Sequence, residues 1–321
     1  MNILITSAGR RVSLVKAFQA ELKALAPEGK VFTTDFNTDM SSACRVSDGA
    51  FQLPLVSDTN YLNLLIKVCV ENQIKIIIPT IDTELLLLAN SNKTLLKNGI
   101  TAIVASSDFI NICRDKRKMS AFFIENNIKV AKEYSKYDYK LPLFIKPFNG
   151  SRSVDTFIIN KHEDLTEYHF KNDDLMFLEY IDHSEFDEYT CDLYYDVNHN
   201  LKSVVPRKRI EVRDGEVNKG ITKKNILVDY IKEQLSHVDG AIGCLTAQFF
   251  KHATKDIIYG IEINARFGGG FPLSYAAGAN YPKWIIQEYL FNEPIDFYDD
   301  WENNLLMLRY DNEVLVHGYN A

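Results

Sequence analysis

The sequence predicts an α/β domain followed by two α+β lobes, and three observations predict it. Over residues 1–112, short apolar runs alternate with helical patterns, as in a parallel sheet with helices on its faces. Over 113–180 the chain changes character around a Gly/Ser turn, and over 181–321 strands dominate. At 321 residues it is long enough to bury a large core and to hold two or three lobes.

The elements follow in order. Residues 2–6 read as a strand, and 11–25 as a helix with Val12, Val15, Phe18, Leu22 and Leu25 on one face. A second strand, 31–34, ends at Asp35. Helical spacing covers 61–71 and 84–97, with strands at 75–79 and 102–104. Next come a helix over 119–126, strands at 141–146 and 154–160, and a helix from about Glu163. The apolar run 175–180 contains Glu179. Strands at 189–196 and 201–206, a helix over 226–238, a strand pair within 244–264 and a closing helix over 282–290 complete the chain.

Ligands of open α/β sheets bind at the carboxyl ends of the strands. Those ends carry Ser7-Ala8-Gly9-Arg10, Asp35-Phe36-Asn37 and Thr80-Ile81-Asp82-Thr83-Glu84. A dinucleotide reading of the first two lacks its glycines: one is present where G-x-G-x-x-G wants three. Asp82, Glu84 and Arg10 are either pocket-shaping charges or helix-capping and surface charges.

Composition excludes several classes. A net charge of −7 argues against general nucleic-acid binding. Cys44, Cys69, Cys113, Cys191 and Cys244 are scattered and odd in number, as expected of reduced thiols in a cytoplasm. MNILITSAGRR lacks the plan of a signal peptide. No apolar run approaches the ~20 residues that span a bilayer. The expectation is a soluble cytoplasmic protein.

The most informative stretch is Cys244 to Gly270, which reads as strands at 245–250 and 257–264 joined by a polar loop. Alternation puts Ile261 and Ile263 on one face and Glu262 and Asn264 on the other. Antiparallel pairing about residue 255 sets Gln248 opposite Glu262. The patch is either an ordinary polar hairpin face or a seat for Mg²⁺, which takes few protein carboxylates. Arg266 follows, and Gly268-Gly269-Gly270 permits close backbone approach to a ligand. Residues 202–224 hold eight basic and three acidic residues, a local +5 without an aromatic residue. They form either a solvated edge strand or a cluster that neutralises phosphate and carboxylate. Arg207 and Arg209 share one face of that strand, with planar guanidinium groups suited to such anions.

With Lys116, Lys146-Pro147, the loop at Gly150, Glu179, Glu188, Gln248, Glu262 and Asn264 in this order, the chain resembles the ATP-grasp superfamily. Within it, the chain is similar to the carbamoyl-phosphate-synthase-large-chain-like branch of carboxylate–amine ligases. The likeness covers nearly the whole sequence. It is most specific in the run Val204 to Gly220, and in Gln248-Phe249-Phe250 followed by Glu262 to Gly270. It implies a Rossmann-like N-terminal domain over 1–112, a small ATP-grasp lobe over 113–180 and a large lobe over 181–321.

The resemblance also implies the site. Lys116 and Lys146 match lysines near the phosphates, and Gly150-Ser151-Arg152-Ser153 matches the lid over them. This lid has one glycine where relatives often have several. Glu179, Tyr180 and Ile181 match the hinge at the adenine edge, and Glu188 the carboxylate for the ribose. Gln248, Glu262 and Asn264 match the holders of Mg²⁺ or Mn²⁺, with Gln248 also counted at the nucleotide. Arg266, Arg207, Arg209 and Lys219 match the groups around the transferring phosphoryl. The implied reaction joins a carboxylate to an amine through an acyl phosphate, releasing ADP and phosphate. The implied partners are ATP, a small carboxylic acid and an amine, amino acids among them, with no nucleic acid or membrane; a homodimer is compatible. Bicarbonate or carbamate phosphorylation and a non-catalytic ATP sensor stay open as alternatives.

Overall fold

The computed structural model describes residues 1–150, 154–213 and 215–319. Its first sheet is parallel: β1 (Asn2–Thr6), β2 (Val31–Asp35), β3 (Ala50–Gln52), β4 (Ile74–Pro79) and β5 (Thr101–Ala102), in the order β3-β2-β1-β4-β5. The order therefore reverses between β1 and β4. Six helices accompany it: α1 (Val12–Leu25), α2 (Ser42–Val46), α3 (Tyr61–Glu71), α4 (Asp82–Asn90), α5 (Asn92–Lys97) and α6 (Ser107–Arg114). Alternation along the strands explains why both faces are apolar. Ile3, Ile5, Ile76 and Ile78 pack with Val15 and Phe18 of α1, while Leu4 and Ile77 pack with Leu65, Leu88 and Phe109 from the helices opposite.

α7 (Lys116–Glu125) leads to a four-stranded antiparallel sheet, β6 (Glu133–Tyr134), β7 (Leu143–Pro147), β8 (Phe157–Ile159) and β9 (Leu175–Glu179), in the order β6-β9-β7-β8, with the short α8 (Glu167–Lys171). Leu143, Ile145, Ile159, Leu175 and Phe177 form its own buried cluster.

A six-stranded antiparallel sheet completes the fold: β10 (Phe186–Tyr195), β11 (Leu201–Arg213), β12 (Glu216–Thr222), β13 (Gly243–His252), β14 (Ile258–Asn264) and β15 (Leu306–Leu308), ordered β14-β13-β10-β11-β12-β15. α9 (Ile226–Gln234), α10 (Phe271–Ala276) and α11 (Tyr281–Phe291) flank it. One face, with Cys191, Leu193, Ala247, Phe249 and Ile263, shares a core with Leu4, Leu65 and Phe109 of the first domain. The parallel domain and the six-stranded sheet are thus joined by common apolar burial, and the four-stranded sheet stands outside it.

Several elements differ from the sequence expectation. The helix over 84–97 is two helices, because Ser91 at φ −95° and ψ 3° ends α4 and begins α5. The strand at 154–160 shortens to β8, since Asp155 adopts φ 59°, where an extended run cannot pass. The helix from Glu163 is a single tight turn, His162–Asp164, followed by α8. β5 covers only Thr101–Ala102, and α9 stops at Gln234. β11 runs on to Arg213 because β12 pairs with it. The boundary expected at 112 falls within α6, which the sequence reading missed although Ser106 caps it by accepting from Phe109 N at 3.2 Å. Among the described residues, no helix is long and apolar enough to cross a membrane.

The floor between the two antiparallel sheets depends on Gly260. Its N–H donates to Lys129 O at 2.7 Å, and an added Cβ would stand 2.7 Å from the Phe123 ring. Phe123 in turn meets Phe249, with ring centroids 5.9 Å apart. Gly260→Ala should therefore lower the unfolding free energy by about 1–3 kcal/mol through overpacking, read as a lower urea midpoint at unchanged slope.

Candidate active site

Between the four-stranded and six-stranded sheets lies a cleft of about 470 Å³. Val130, Phe144, Met176 and Leu178 line one wall, with Phe250 and Ile261 opposite. Lys116, Lys146, Glu188, Arg209, Gln248 and Glu262 supply convergent polar groups. An apolar cleft with convergent charged groups suits a ligand that has both a ring and a polyanionic tail.

Register builds the polar patch. β13 and β14 pair with Gln248 opposite Glu262 and Thr246 opposite Asn264, the pairing expected from the sequence. β10 adds Glu188 opposite Phe250 and Thr190 opposite Gln248, while Arg207 on β11 stands opposite Thr190. These residues share one face, the reverse of the face in the common core. Ile261 departs from expectation. The register slips between Gln248 and Phe249, and this bulge turns Ile261 into the cleft while Ile263 stays buried.

Glu262 is the hub. Its Oε1 accepts from Gln248 Nε2 at 2.8 Å and Asn264 Nδ2 at 3.0 Å. Arg209 Nη1 donates to Glu188 Oε1 at 2.5 Å and to Gln248 Oε1 at 3.3 Å. One carboxylate between two carboxamides fits a small hard cation that keeps its waters. Among the described residues, no group of three or more His, Cys, Asp or Glu side chains could hold a metal by itself.

Lys116 opens α7 behind Asp115, whose Oδ1 accepts from the N–H groups of Arg117 at 2.9 Å and Lys118 at 3.3 Å. Lys116 N donates to Phe148 O at 2.8 Å, and its ammonium donates to Gly150 O. The turn after β7 is thereby tied to α7. Burial pulls Lys146 down to about 8; Glu262 and Glu188 oppose that shift, and the Lys116 ammonium adds to it. Glu179, Tyr180 and Ile181 link β9 to β10 and line the cleft, with Glu179 N bonded to Lys132 O at 2.8 Å. Ser151, Arg152 and Ser153 lie outside the described residues.

Three expected residues stand away from the cleft. Arg207 is 1% exposed, and its Nε and Nη2 each donate to Asp192 at 2.9 Å. Ser274 Oγ adds a bond to the same carboxylate at 2.6 Å. Nη1 of Arg207 has no partner among the described residues and is covered by Gly270, where a Cβ would stand 2.0 Å away. Lys219 pairs with Glu211 at 2.6 Å. Arg266 forks onto Asp82 of α4 at 2.6 and 2.9 Å. The three glycines also have a different neighbourhood from the one expected. They admit side chains of the protein itself, Thr246 at Gly268, Glu216 at Gly269 and Arg207 at Gly270. The sequence reading missed Asp192 as the buried partner of Arg207, although its even spacing from Glu188 and Thr190 placed it on their face.

The comparisons with known proteins agree with this fold. A family model described as PylC-like, N-terminal domain, matches residues 3–103, and one described as ATP-grasp in the biosynthetic pathway with Ter operon matches 171–304. Residues 171–304 thus match an ATP-grasp model, and the chain as a whole has the fold of ATP-grasp proteins. No curated protein matches it. Among solved structures, it is similar to the biotin carboxylase domain of Hydrogenobacter thermophilus 2-oxoglutarate carboxylase, with a TM-score of 0.72 and 16% identity over 95% of this chain and 73% of that one. An L-amino acid ligase from Bacillus licheniformis gives 0.68 and 17% over 92% and 75%. N5-carboxyaminoimidazole synthetase from Staphylococcus aureus gives 0.67 and 18% over 89% and 76%. The order of a parallel-sheet domain followed by two antiparallel lobes is common ground with these folds.

Two outcomes follow from the site. Phosphates bound beside Lys146 would favour its charged form, which is lost as pH rises through about 8. ADP binding should weaken across that range and take up protons, measured by calorimetry in buffers of different ionisation enthalpy. In Lys146→Met both effects should vanish. Asp192→Ala leaves the buried Arg207 charge without a partner and should cost about 3–5 kcal/mol of stability in denaturant unfolding.

Proposed function

We propose that the protein is an ATP-dependent carboxylate–amine ligase that works through an acyl phosphate. The observation that carries the reading is Glu262, set between Gln248 and Asn264 and facing the same cleft as Lys116, Lys146 and Arg209. The matched biotin carboxylase domain is described with MgADP, and the synthetase with ADP, which supports a nucleotide in this cleft.

In this reading the adenine lies against Phe144, Met176 and Leu178, with its edge at the 179–181 backbone and its ribose at Glu188. Lys116 and Lys146 hold the phosphates, next to the turn at Gly150. Gln248, Glu262 and Asn264 would hold Mg²⁺ or Mn²⁺, which neutralises phosphate charge when bound. A carboxylate oxygen of the acid attacks the γ-phosphorus, and the bond from that phosphorus to the ADP oxygen breaks. An amine then attacks the carbonyl carbon, phosphate departs with the bonding pair, and the ammonium proton passes to solvent. The protein's share is positioning and charge neutralisation. Arg209 takes the transferring phosphoryl, Arg266 faces the acid, and Arg207 and Lys219 brace the sheet behind them. A cytoplasmic location and a homodimer belong to the same proposal.

Pools of amino acids, dipeptides and small carboxylic acids, each with MgATP, should include one that releases ADP. Glu262→Ala should lower that rate about a hundredfold or more while its unfolding midpoint stays near wild type. Release of AMP would replace the acyl phosphate with an adenylate. ADP release with bicarbonate alone would favour bicarbonate phosphorylation, and nucleotide binding without turnover would favour a sensor.

A further inference from the structure

A second set of charges meets where the parallel domain faces the six-stranded sheet. The strand order reverses between β1 and β4, and such reversals leave a crevice at the carboxyl ends of the strands. β1 leads into Arg10 and Arg11, and β4 leads to Asp82 at the start of α4. Arg266, just past β14, reaches over from the other side. So do Glu216 at the start of β12 and Arg309 just past β15.

Most of these groups are committed to each other. Arg266 is forked onto Asp82, and Arg309 Nη1 donates to Glu216 Oε2 at 3.0 Å and to Val217 O at 3.2 Å. Gly269 fixes the Glu216 carboxylate from behind, since a Cβ there would stand 2.7 Å from it. Arg11 is left over. Among the described residues no hydrogen bond or ion pair engages its guanidinium, yet it is half-buried. Burial lowers its proton affinity, and the like charges of Arg266 and Arg309 add to the effect. Three arginines, 11, 266 and 309, face two carboxylates, 82 and 216, so the set carries one surplus positive charge. α1 starts at Val12 with no side-chain cap and no acidic residue in its first turn, which adds the positive end of a helix at the same place. The crevice adjoins the polar patch, because Asn264 is bonded to Glu262 and Arg266, two residues on, is forked onto Asp82.

A surplus of partly desolvated guanidinium groups persists most readily where an anion completes it. We propose that the crevice between β1 and β4 takes a second anionic group, carboxylate or phosphate, of the acid whose reacting carboxylate lies at the Glu262 side, with Arg11 as its principal contact. The substrate class is therefore a dicarboxylic or phosphorylated carboxylic acid, not a simple monocarboxylate. This rests on the ligase reading, but the crevice can be tested without turnover.

The test compares wild type, Arg11→Gln and Arg11→Lys. Binding of inorganic phosphate and of succinate is measured by calorimetry without nucleotide, with ADP binding as the control for an intact fold. At least one of the two anions should bind wild type, weaken about tenfold or more in Arg11→Gln and recover in part in Arg11→Lys, while ADP binding is unchanged. In ADP-release assays, acids with a second anionic group should be preferred over matched monocarboxylates. Whether the preferred acid is a dicarboxylate or a phosphorylated acid identifies the group in the crevice. Failure of both anions to bind, or equal binding to wild type and Arg11→Gln, overturns the proposal. Equal turnover of monocarboxylates also overturns it while leaving the ligase reading intact. If no acid is turned over but the Arg11-dependent binding is present, the ligase reading fails and the anion site stands.

Discussion

Period-two alternation across the six-stranded sheet is the constraint on which the rest depends. One face of β10 and β13 is spent on Cys191, Leu193, Ala247 and Phe249, which join the core of the parallel domain. The other face then has to accommodate whatever alternates with them: Glu188, Thr190, Asp192, Thr246 and Gln248. At one end this face is closed by Tyr194 and Cys244 under Phe271, Tyr281 and Trp284. In the middle the buried Asp192–Arg207 pair sits beneath Gly270, and at the far end the face opens on the cleft. Apolar burial, a desolvated ion pair and the candidate chemistry are three successive stations along one face. A one-residue slip in β13 would exchange all of them for the core residues.

The parts legible in the sequence were those set by local period. The alternation of Glu262 and Asn264, and the pairing of Gln248 with Glu262, follow from hairpin geometry alone. The parallel domain was legible because each of its strands is a short apolar run between helical patterns. What escaped depends on partners distant in sequence. β12 contains Asn218, Lys219 and Gly220, a poor strand by composition, and is extended because β11 and β15 pair with it on either side. The bulge at Ile261 is a property of two strands together and leaves no mark on either. Arg207 was expected beside the transferring phosphoryl as part of a basic run, and only the fold brings Asp192 against it. The break at Ser91 had a local signal, since Asn90-Ser91-Asn92 is a poor helix former, but the apolar spacing on either side outweighed it.

The loop after β1 shows how a familiar arrangement can be turned to another use. Gly9 adopts φ 49°, and its N–H donates to Asp35 Oδ2 at 2.8 Å. The glycine and the acidic residue that would serve a dinucleotide are thus bonded to each other. Ser7, also at positive φ, donates to the buried Glu84 at 3.3 Å, and Thr6 and Tyr61 donate to the same carboxylate at 2.8 and 2.5 Å. These bonds fix the turn that presents Arg10 and Arg11 towards the six-stranded sheet. The rigidity of that turn comes from acceptors on other elements, Asp35 at the end of β2 and Glu84 of α4.

The five residues at the heart of the four-stranded lobe belong to neither of the larger apolar clusters. Two cores that share no side chain register substitutions separately, because coupling requires common partners. The lobe is thereby a separate energetic unit. A substitution among Leu143, Ile145, Ile159, Leu175 and Phe177 is absorbed within the lobe, while the core behind Glu262 keeps its packing.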